Sequence, residues 1–189
     1  MFDDIRAIYR NDPAARGIEA LLYPGLHAII CHRLISHPLY KLKLLFIARI
    51  ISQFSRFFTG VEIHPGAQIG KGLFIDHGMG IVIGETSQIG ENCIMYQHVT
   101  LGGTGKHIGK RHPTIGDNVI IGTAATLLGP IHIGHNVKIG AETFVIMHDI
   151  PDDCTVVGAP GHIVRLHGKK VNIKLKPSEG WEEFHKNDK

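Results

Sequence analysis

Cysteine is scarce in this 189-residue chain: Cys31, Cys93 and Cys154 are odd in number and far apart, and no C-x-x-C occurs. That excludes a disulfide framework and a thiolate metal site, and points to buried thiols in a reducing, cytoplasmic compartment. Net charge is also low, at +3, too weak to argue for a nucleic-acid partner, although a local basic patch can still hold a polyanionic cofactor. No long uninterrupted apolar run exists. The most apolar stretch, Leu39 to Phe58, carries Lys41, Lys43, Arg49 and Arg56, so it is not read as a membrane span. The opening Met-Phe-Asp-Asp lacks a basic segment followed by an apolar one, so no signal peptide is expected.

The chain that remains has two textures. Up to about Phe58 it reads as helix. Asp12-Pro13 suits a helix start, with Asp as cap and Pro at the first position. Pro24-Gly25 is a break, and Leu26, Ile29, Ile30, Arg33, Leu34 and Ile35 recur at near-helical spacing. Pro38 reads as a second break before another apolar-basic helix. After Gly60 a period of six takes over. Ile-Gly stands at 69, 83, 89, 108, 115, 121, 133 and 139, and only Ile108 falls off a six-residue grid. The grid has three registers: Ile63, Ile69, Ile75, Ile81; then Ile83, Ile89, Met95, Leu101; then Ile115 through Val145 to Pro151, Val157 and Ile163. One aliphatic residue per hexapeptide is the mark of a coil with three faces per turn, whose aliphatic column is buried inside a prism. An ordinary α/β sheet would need helical segments between strands, and none is visible from Gly60 to Ile150. The expected organisation is a helical region over 1–59, a parallel β-helix over 60–166 with a loop at 102–114, and a polar, mobile tail over 167–189.

That loop interrupts the repeat with Gly, Lys, Arg and His, a composition suited to an anion. Within the repeat, Asp76-His77-Gly78-Met79-Gly80 stands where a plain turn belongs. Glu62 lies nearly one coil of about eighteen residues earlier. An imidazole backed by a carboxylate is a minimal general base. A solvated Asp-His pair is the common alternative, and these residues alone do not decide between them.

Three blocks in this order are more specific: Asp76-His77-Gly78-Met79-Gly80-Ile81-Val82-Ile83-Gly84-Glu85-Thr86, Val99-Thr100-Leu101-Gly102-Gly103-Thr104-Gly105-Lys106, and Arg111-His112-Pro113. Together they closely resemble the serine O-acetyltransferase family of hexapeptide acyltransferases, from about Asp12 to Arg165. The resemblance implies a left-handed coil, a homotrimer (with a dimer of trimers as the alternative), and acetyl transfer from acetyl-CoA to L-serine for cysteine biosynthesis. It makes His77 the general base and Glu62 its dyad carboxylate, where many members carry Asp and the arm is one methylene shorter. Asp12 and Asp76 match carboxylates that hold the substrate ammonium. Arg111 matches the residue that binds the substrate carboxylate, and His112 a second imidazole of the site. Backbone N–H groups in Gly102-Gly103-Thr104 are candidate oxyanion donors. By position, Gly103, Thr104, Thr123, Lys138 and Ala141 are candidates for holding acetyl-CoA. The reaction implied needs no metal and no acyl-enzyme.

Three alternatives stay open on sequence: an acetyltransferase for sugars or other hydroxyl acceptors, a zinc lyase of the γ-carbonic-anhydrase type using His107 and His112 with His77 or His98, and a silent scaffold. Family members can be inhibited by cysteine. Many dock O-acetylserine sulfhydrylase through a C-terminal isoleucine, and the ending Asn187-Asp188-Lys189 does not match that docking.

Overall fold

The computed structural model describes residues 2–105 and 108–177. Four α-helices precede the coil: α1 (Phe2–Asn11), α2 (Pro24–Cys31), α3 (His37–Lys41) and α4 (Leu45–Thr59). α1 lays Ala7 and Ile8 on Ala20, Leu26 and Phe74. It is pinned by a buried carboxylate: Asp4 Oδ1 accepts from Arg33 Nη2 at 3.0 Å and from the Gly72 N–H at 3.0 Å. Arg33 also donates to the carbonyls of Ile69 and Gly70, so one guanidinium joins both helices to the first coil.

Two expected helix boundaries are corrected. Asp12-Pro13 follows α1 instead of starting a helix. The Asp12 N–H bonds back to Ile8 O at 2.9 Å, and its carboxylate accepts from Ala14 N–H at 2.7 Å in a turn. Pro38 does not break its helix either. A π-helical turn, His32–Ser36, runs directly into α3. The widened turn absorbs the donor that proline lacks and the carbonyl it crowds. The break comes later, at Lys43, whose φ is 63°. α4 ends where Gly60, at φ 72°, donates to Arg56 O at 2.8 Å, a left-handed cap that glycine adopts without strain.

From Glu62 the chain winds into a parallel β-helix of three faces. Face one stacks Glu62–Ile63, Val82–Ile83, Thr100–Gly102, Thr126–Leu128 and Phe144–Ile146. Face two stacks Gln68–Ile69, Gln88–Ile89, Thr114–Ile115 and His132–Ile133. Face three stacks Phe74–Ile75, Ile94–Met95, Ile120–Ile121, Lys138–Ile139 and Cys154–Val157. On face one, Ile63 pairs Ile83, Ile83 pairs Leu101, Leu101 pairs Leu127 and Leu127 pairs Val145. The residue spacings are 20, 18, 26 and 18: extra residues leave at corners, and the column stays in line.

The column differs from the sequence reading in two ways. Each hexapeptide buries a second residue two positions before the first, such as Val61, Leu73, Ile81, Cys93, Val99, Val119 and Val137, because alternate strand residues share a face. Ile81 is therefore the partner of Ile83 on one strand, not a fourth step of the first register. After Val145 the register slips by one. Ile150 bridges Ile133, and Val156 pairs Ile139, while Pro151 is exposed and Val157 half-buried. Beyond the coil the expected mobile tail is replaced, as far as it is described, by antiparallel strands. His162–Leu166 and Lys169–Lys174 extend face three, and Lys176–Pro177 pairs His148–Asp149. Residues from 178 onward lie outside the described residues. No helix among the described residues is long and apolar enough to cross a membrane.

A buried member of this column carries a large stability cost when truncated. Leu127→Ala is expected to lower unfolding free energy by about 2–5 kcal/mol. Ile108→Ala, at a fully exposed loop tip, is expected to change it by less than about 0.5 kcal/mol. Chemical denaturation of the two variants compares them.

Candidate active site

The corner between faces three and one, on the first coil, carries Asp76 and His77. His77 has φ 59°, and the Gly78 N–H folds back to Asp76 O at 2.6 Å, so the turn thrusts the imidazole outward. Its side chain is 71% exposed and its Nε2 lies 3.8 Å from Asp76 Oδ1. The segment after α1 brings Asp12 to the same corner. Asp12 Oδ2 accepts from the Tyr23 hydroxyl, and the Tyr23 ring packs 6.4 Å from that of Phe74. The hydrogen bonds from Tyr23 and Ala14 hold the Asp12 carboxyl below its ordinary value, with a smaller contribution from His77. Tyr23 is pushed up to about 12 by its bond to Asp12, then by burial and by the charges of Asp12 and Asp76. Asp12, Asp76 and His77 thus stand at one corner. Tyr23, to which sequence reasoning gave no role, fastens Asp12 there.

Glu62 does not make its expected hydrogen bond to His77. Its Oε1 lies 3.1 Å from Arg49 Nη2 and its Oε2 3.2 Å from Arg56 Nη1. Both arginines come from α4, whose turns present them to the same carboxylate. The carboxylate within 4 Å of His77 is Asp76.

The corner between faces one and two carries the basic half. Arg111 Nη2 donates to Glu85 Oε2 at 2.6 Å, and the Tyr40 hydroxyl donates to Glu85 Oε1 at 2.9 Å. Burial pushes the Glu85 carboxyl up, but hydrogen bonds from Tyr40 and Arg111 outweigh it and leave the group below its ordinary value. Lys110 closes the loop by donating to Thr86 O at 2.7 Å and Pro113 O at 3.3 Å. His112 is buried, and burial followed by the charge of Arg111 pulls it down to about 4. A cleft of about 470 Å³ beside this corner is lined by Tyr40, Arg49, His64 and Glu85 among others. Glu85 and Thr86 fall within the blocks quoted above, but neither was assigned a task from sequence.

The two halves flank face one on opposite edges. Four residue steps, from Gly80 to Gly84, separate the corners, roughly 13 Å of extended chain. The acetyl-CoA candidates divide in the same way. Thr123 and Ala141 occupy consecutive coils of the corner between faces three and one, where Glu142 N–H bonds Thr123 O at 2.8 Å. Gly103 and Thr104 occupy the other corner, with Thr104 Oγ1 3.6 Å from Met147 Sδ. Lys138 sits exposed on face three. His107 of the zinc alternative lies outside the described residues. His112 stands on a different corner from His77 and His98, and among the described residues no three His, Cys, Asp or Glu side chains form a metal-sized group.

Residues 112–146 match the family model described as bacterial transferase hexapeptide (six repeats). A serine acetyltransferase of Bacillus subtilis (strain 168) is 60% identical over 175 residues, covering 92% of this chain and 80% of that protein. One from Synechococcus elongatus is 56% identical over 171 residues, covering 89% of this chain and 69% of that protein. Among solved structures, the Neisseria gonorrhoeae serine acetyltransferase in complex with serine superposes with a TM-score of 0.79 at 44% identity, over 85% of this chain and 66% of that one. A serine acetyltransferase complexed with cysteine gives 0.83 at 40% identity, over 86% of this chain and 68% of that one. This chain therefore spans about two thirds of the length of those structures.

The buried imidazoles predict an acid sensitivity. His112 and His32 take a proton in the unfolded chain near 6.5, but only at about 4 and about 3 when folded. Their contribution is present above 6.5 and is lost as pH falls below it, because the unfolded chain then binds protons that the folded chain refuses. The urea midpoint is expected to fall between pH 7 and pH 4.5. The ring carbon–proton NMR shifts of His112 are expected to stay constant from pH 8 to pH 5.5; an inflection near 6.5 contradicts the assignment.

Proposed function

This chain belongs to the serine acetyltransferase family, and on that premise we propose that it transfers the acetyl group of acetyl-CoA to the hydroxyl of L-serine. The product is O-acetylserine, for cysteine biosynthesis. The observation that carries the reading is the division of charge between two corners. Asp12 and Asp76 offer carboxylates to an ammonium, and Arg111 offers a guanidinium fork to a carboxylate. A zwitterionic amino acid needs both; a sugar hydroxyl needs neither. One serine cannot bridge two edges roughly 13 Å apart, so the acidic corner of one copy works against the basic corner of the next. That requires a cyclic assembly, and the family resemblance implies that it is a trimer.

The chemistry is a direct transfer. His77 takes the hydroxyl proton as the serine oxygen forms its bond to the thioester carbonyl carbon. The tetrahedral intermediate then expels the coenzyme A thiolate as the C–S bond breaks, and the proton held by His77 passes to the sulfur. Asp76 is the carboxylate at hand to steady the imidazolium. Glu62 is engaged instead by Arg49 and Arg56, one on each oxygen. The backbone N–H groups of Gly103 and Thr104 are the candidate donors to the oxyanion. No thiol nucleophile is required. Burial pushes Cys93 up to about 11, and Cys154 is raised for the same reason.

Thiol release from acetyl-CoA tests the reading, with serine, homoserine and a hydroxylated sugar as acceptors. Serine is expected to be preferred, and a chelator is expected to leave the rate unchanged. His77→Ala is expected to lower kcat by about 10²–10⁴-fold, and Arg111→Ala to raise the serine KM. The two variants co-expressed are expected to regain about one quarter of wild-type sites, because a cyclic trimer assembles intact acidic and basic corners at some interfaces. Failure to recover any activity would rule out the shared site.

A further inference from the structure

Thr86 stands at the centre of the basic corner and touches His112 through two of its groups. Its Oγ1 accepts from the Arg111 N–H at 3.0 Å and from the His112 N–H at 3.2 Å. Those two donors use both lone pairs of the hydroxyl. The hydroxyl proton is then left for the one remaining neighbour, His112 Nδ1, at 2.9 Å. The Thr86 backbone N–H points at the same nitrogen from 3.2 Å. A backbone N–H can only donate, so Nδ1 must present a lone pair, and the ring proton of neutral His112 belongs on Nε2. The ring packs directly against Gly84: a Cβ there would stand 2.0 Å from His112 Cδ2 and 2.2 Å from Nε2. No other residue type leaves the imidazole in this place.

We propose that Thr86 is a positioning residue that fixes His112 as a neutral Nε2–H donor, so that His112 hydrogen-bonds an anionic oxygen of the reacting complex and does not act as a base. This rests on the reading that the basic corner meets the substrate. The oxygen has two sources, the carboxylate of the amino acid or the oxyanion of the tetrahedral intermediate, and one donor serves either. Burial first, and then the charge of Arg111, keep the ring neutral against the opposing pull of Glu85. Arg111 and Lys110 from the loop, Glu85 from the adjacent turn and His64 from the first coil are the charged and titratable groups that act on it, and Tyr40 from α3 meets the corner through Glu85. Two catalytic imidazoles thus divide the labour: exposed His77 moves the proton, and buried His112 keeps its own.

Nitrogen-15 NMR of the His112 ring tests the assignment without reference to turnover. The wild-type protein at pH 7 is expected to show an unprotonated Nδ1 and a protonated Nε2. Thr86→Val keeps the shape and removes the hydroxyl, and is expected to populate the other tautomer and to lower kcat/KM for serine by at least about tenfold. Thr86→Ser is expected to restore both. A raised serine KM assigns the donor to the carboxylate, and a lowered kcat assigns it to the oxyanion. Gly84→Ala is expected to displace the ring and match Thr86→Val. A protonated Nδ1 in the wild type overturns the proposal. So does a Thr86→Val protein, folded by its amide spectrum, that keeps the wild-type tautomer or the wild-type kcat/KM. Absence of serine acetylation by the wild type would instead overturn the proposed function and leave the tautomer result standing.

Discussion

The dry aliphatic column inside the prism is the constraint from which the rest follows. Most strands of the coil are two or three residues long and could not hold a register by their own hydrogen bonds. The inward side chains supply that hold, at about 1.5–3 kcal/mol for each fully buried Leu, Ile or Val. Strand side chains alternate, so a one-residue slip would turn Ile115 or Ile133 into water and Thr114 or His132 inward. The corners carry no such demand. They can lengthen by two residues at Asp76–Gly80 or by eight before Thr114 while the columns on either side stay aligned. Chemistry therefore gathers at corners, and consecutive coils set corner residues against each other: Gly84 beneath His112, Gly80 against His98.

Corner geometry also depends on left-handed backbone. Asn92, Asn118, Asn136 and Asp153 hold φ between 56° and 58° on one corner. Their side chains form a ladder, Asn118 to Asn136 at 3.2 Å and Asn136 to Asp153 at 3.0 Å. Asn and Asp tolerate this conformation and bond locally. His77 and His98 adopt the same conformation, at 59° and 62°, without that local compensation. At His77 the turn carries the proposed general base outward, so strain falls at the proposed site.

The period of six made the coil, its faces and most of its column legible, because the rule is local: one aliphatic residue, one turn, repeat. The rule lapses where tertiary context takes over. After Val145 the register slips by one, and Ile150 and Val156 take the places that counting gave to Pro151 and Val157. Asp12-Pro13 and Pro38 misled for a related reason. A cap and a turn use the same residues, and a π turn can absorb a proline that would break an ordinary helix. Asp76, His77, Arg111 and His112 stand in the family blocks, whereas Asp12 lies outside them. Tyr23, Glu85 and Thr86 acquire their roles from contacts 11 to 26 residues away in sequence, and no local pattern encodes those.

Charge alone does not explain how such a site chooses an amino acid. Arg111 already faces Glu85 at 2.6 Å, so the pair is nearly neutral seen from a distance, and a passing anion gains little. What the pair offers is geometry. Glu85, itself held by Tyr40, engages one end of the guanidinium and leaves the other N–H donors aimed in fixed directions. The acidic corner is built likewise, with Asp12 immobilised by Tyr23 and Ala14. A ligand that satisfies one half still faces the unpaired charges of the other. Only a molecule bearing an ammonium and a carboxylate at a set separation satisfies both, and its hydroxyl is thereby carried to His77. Restraint of the charged side chains by their own neighbours, more than their number, confers selectivity on the proposed site.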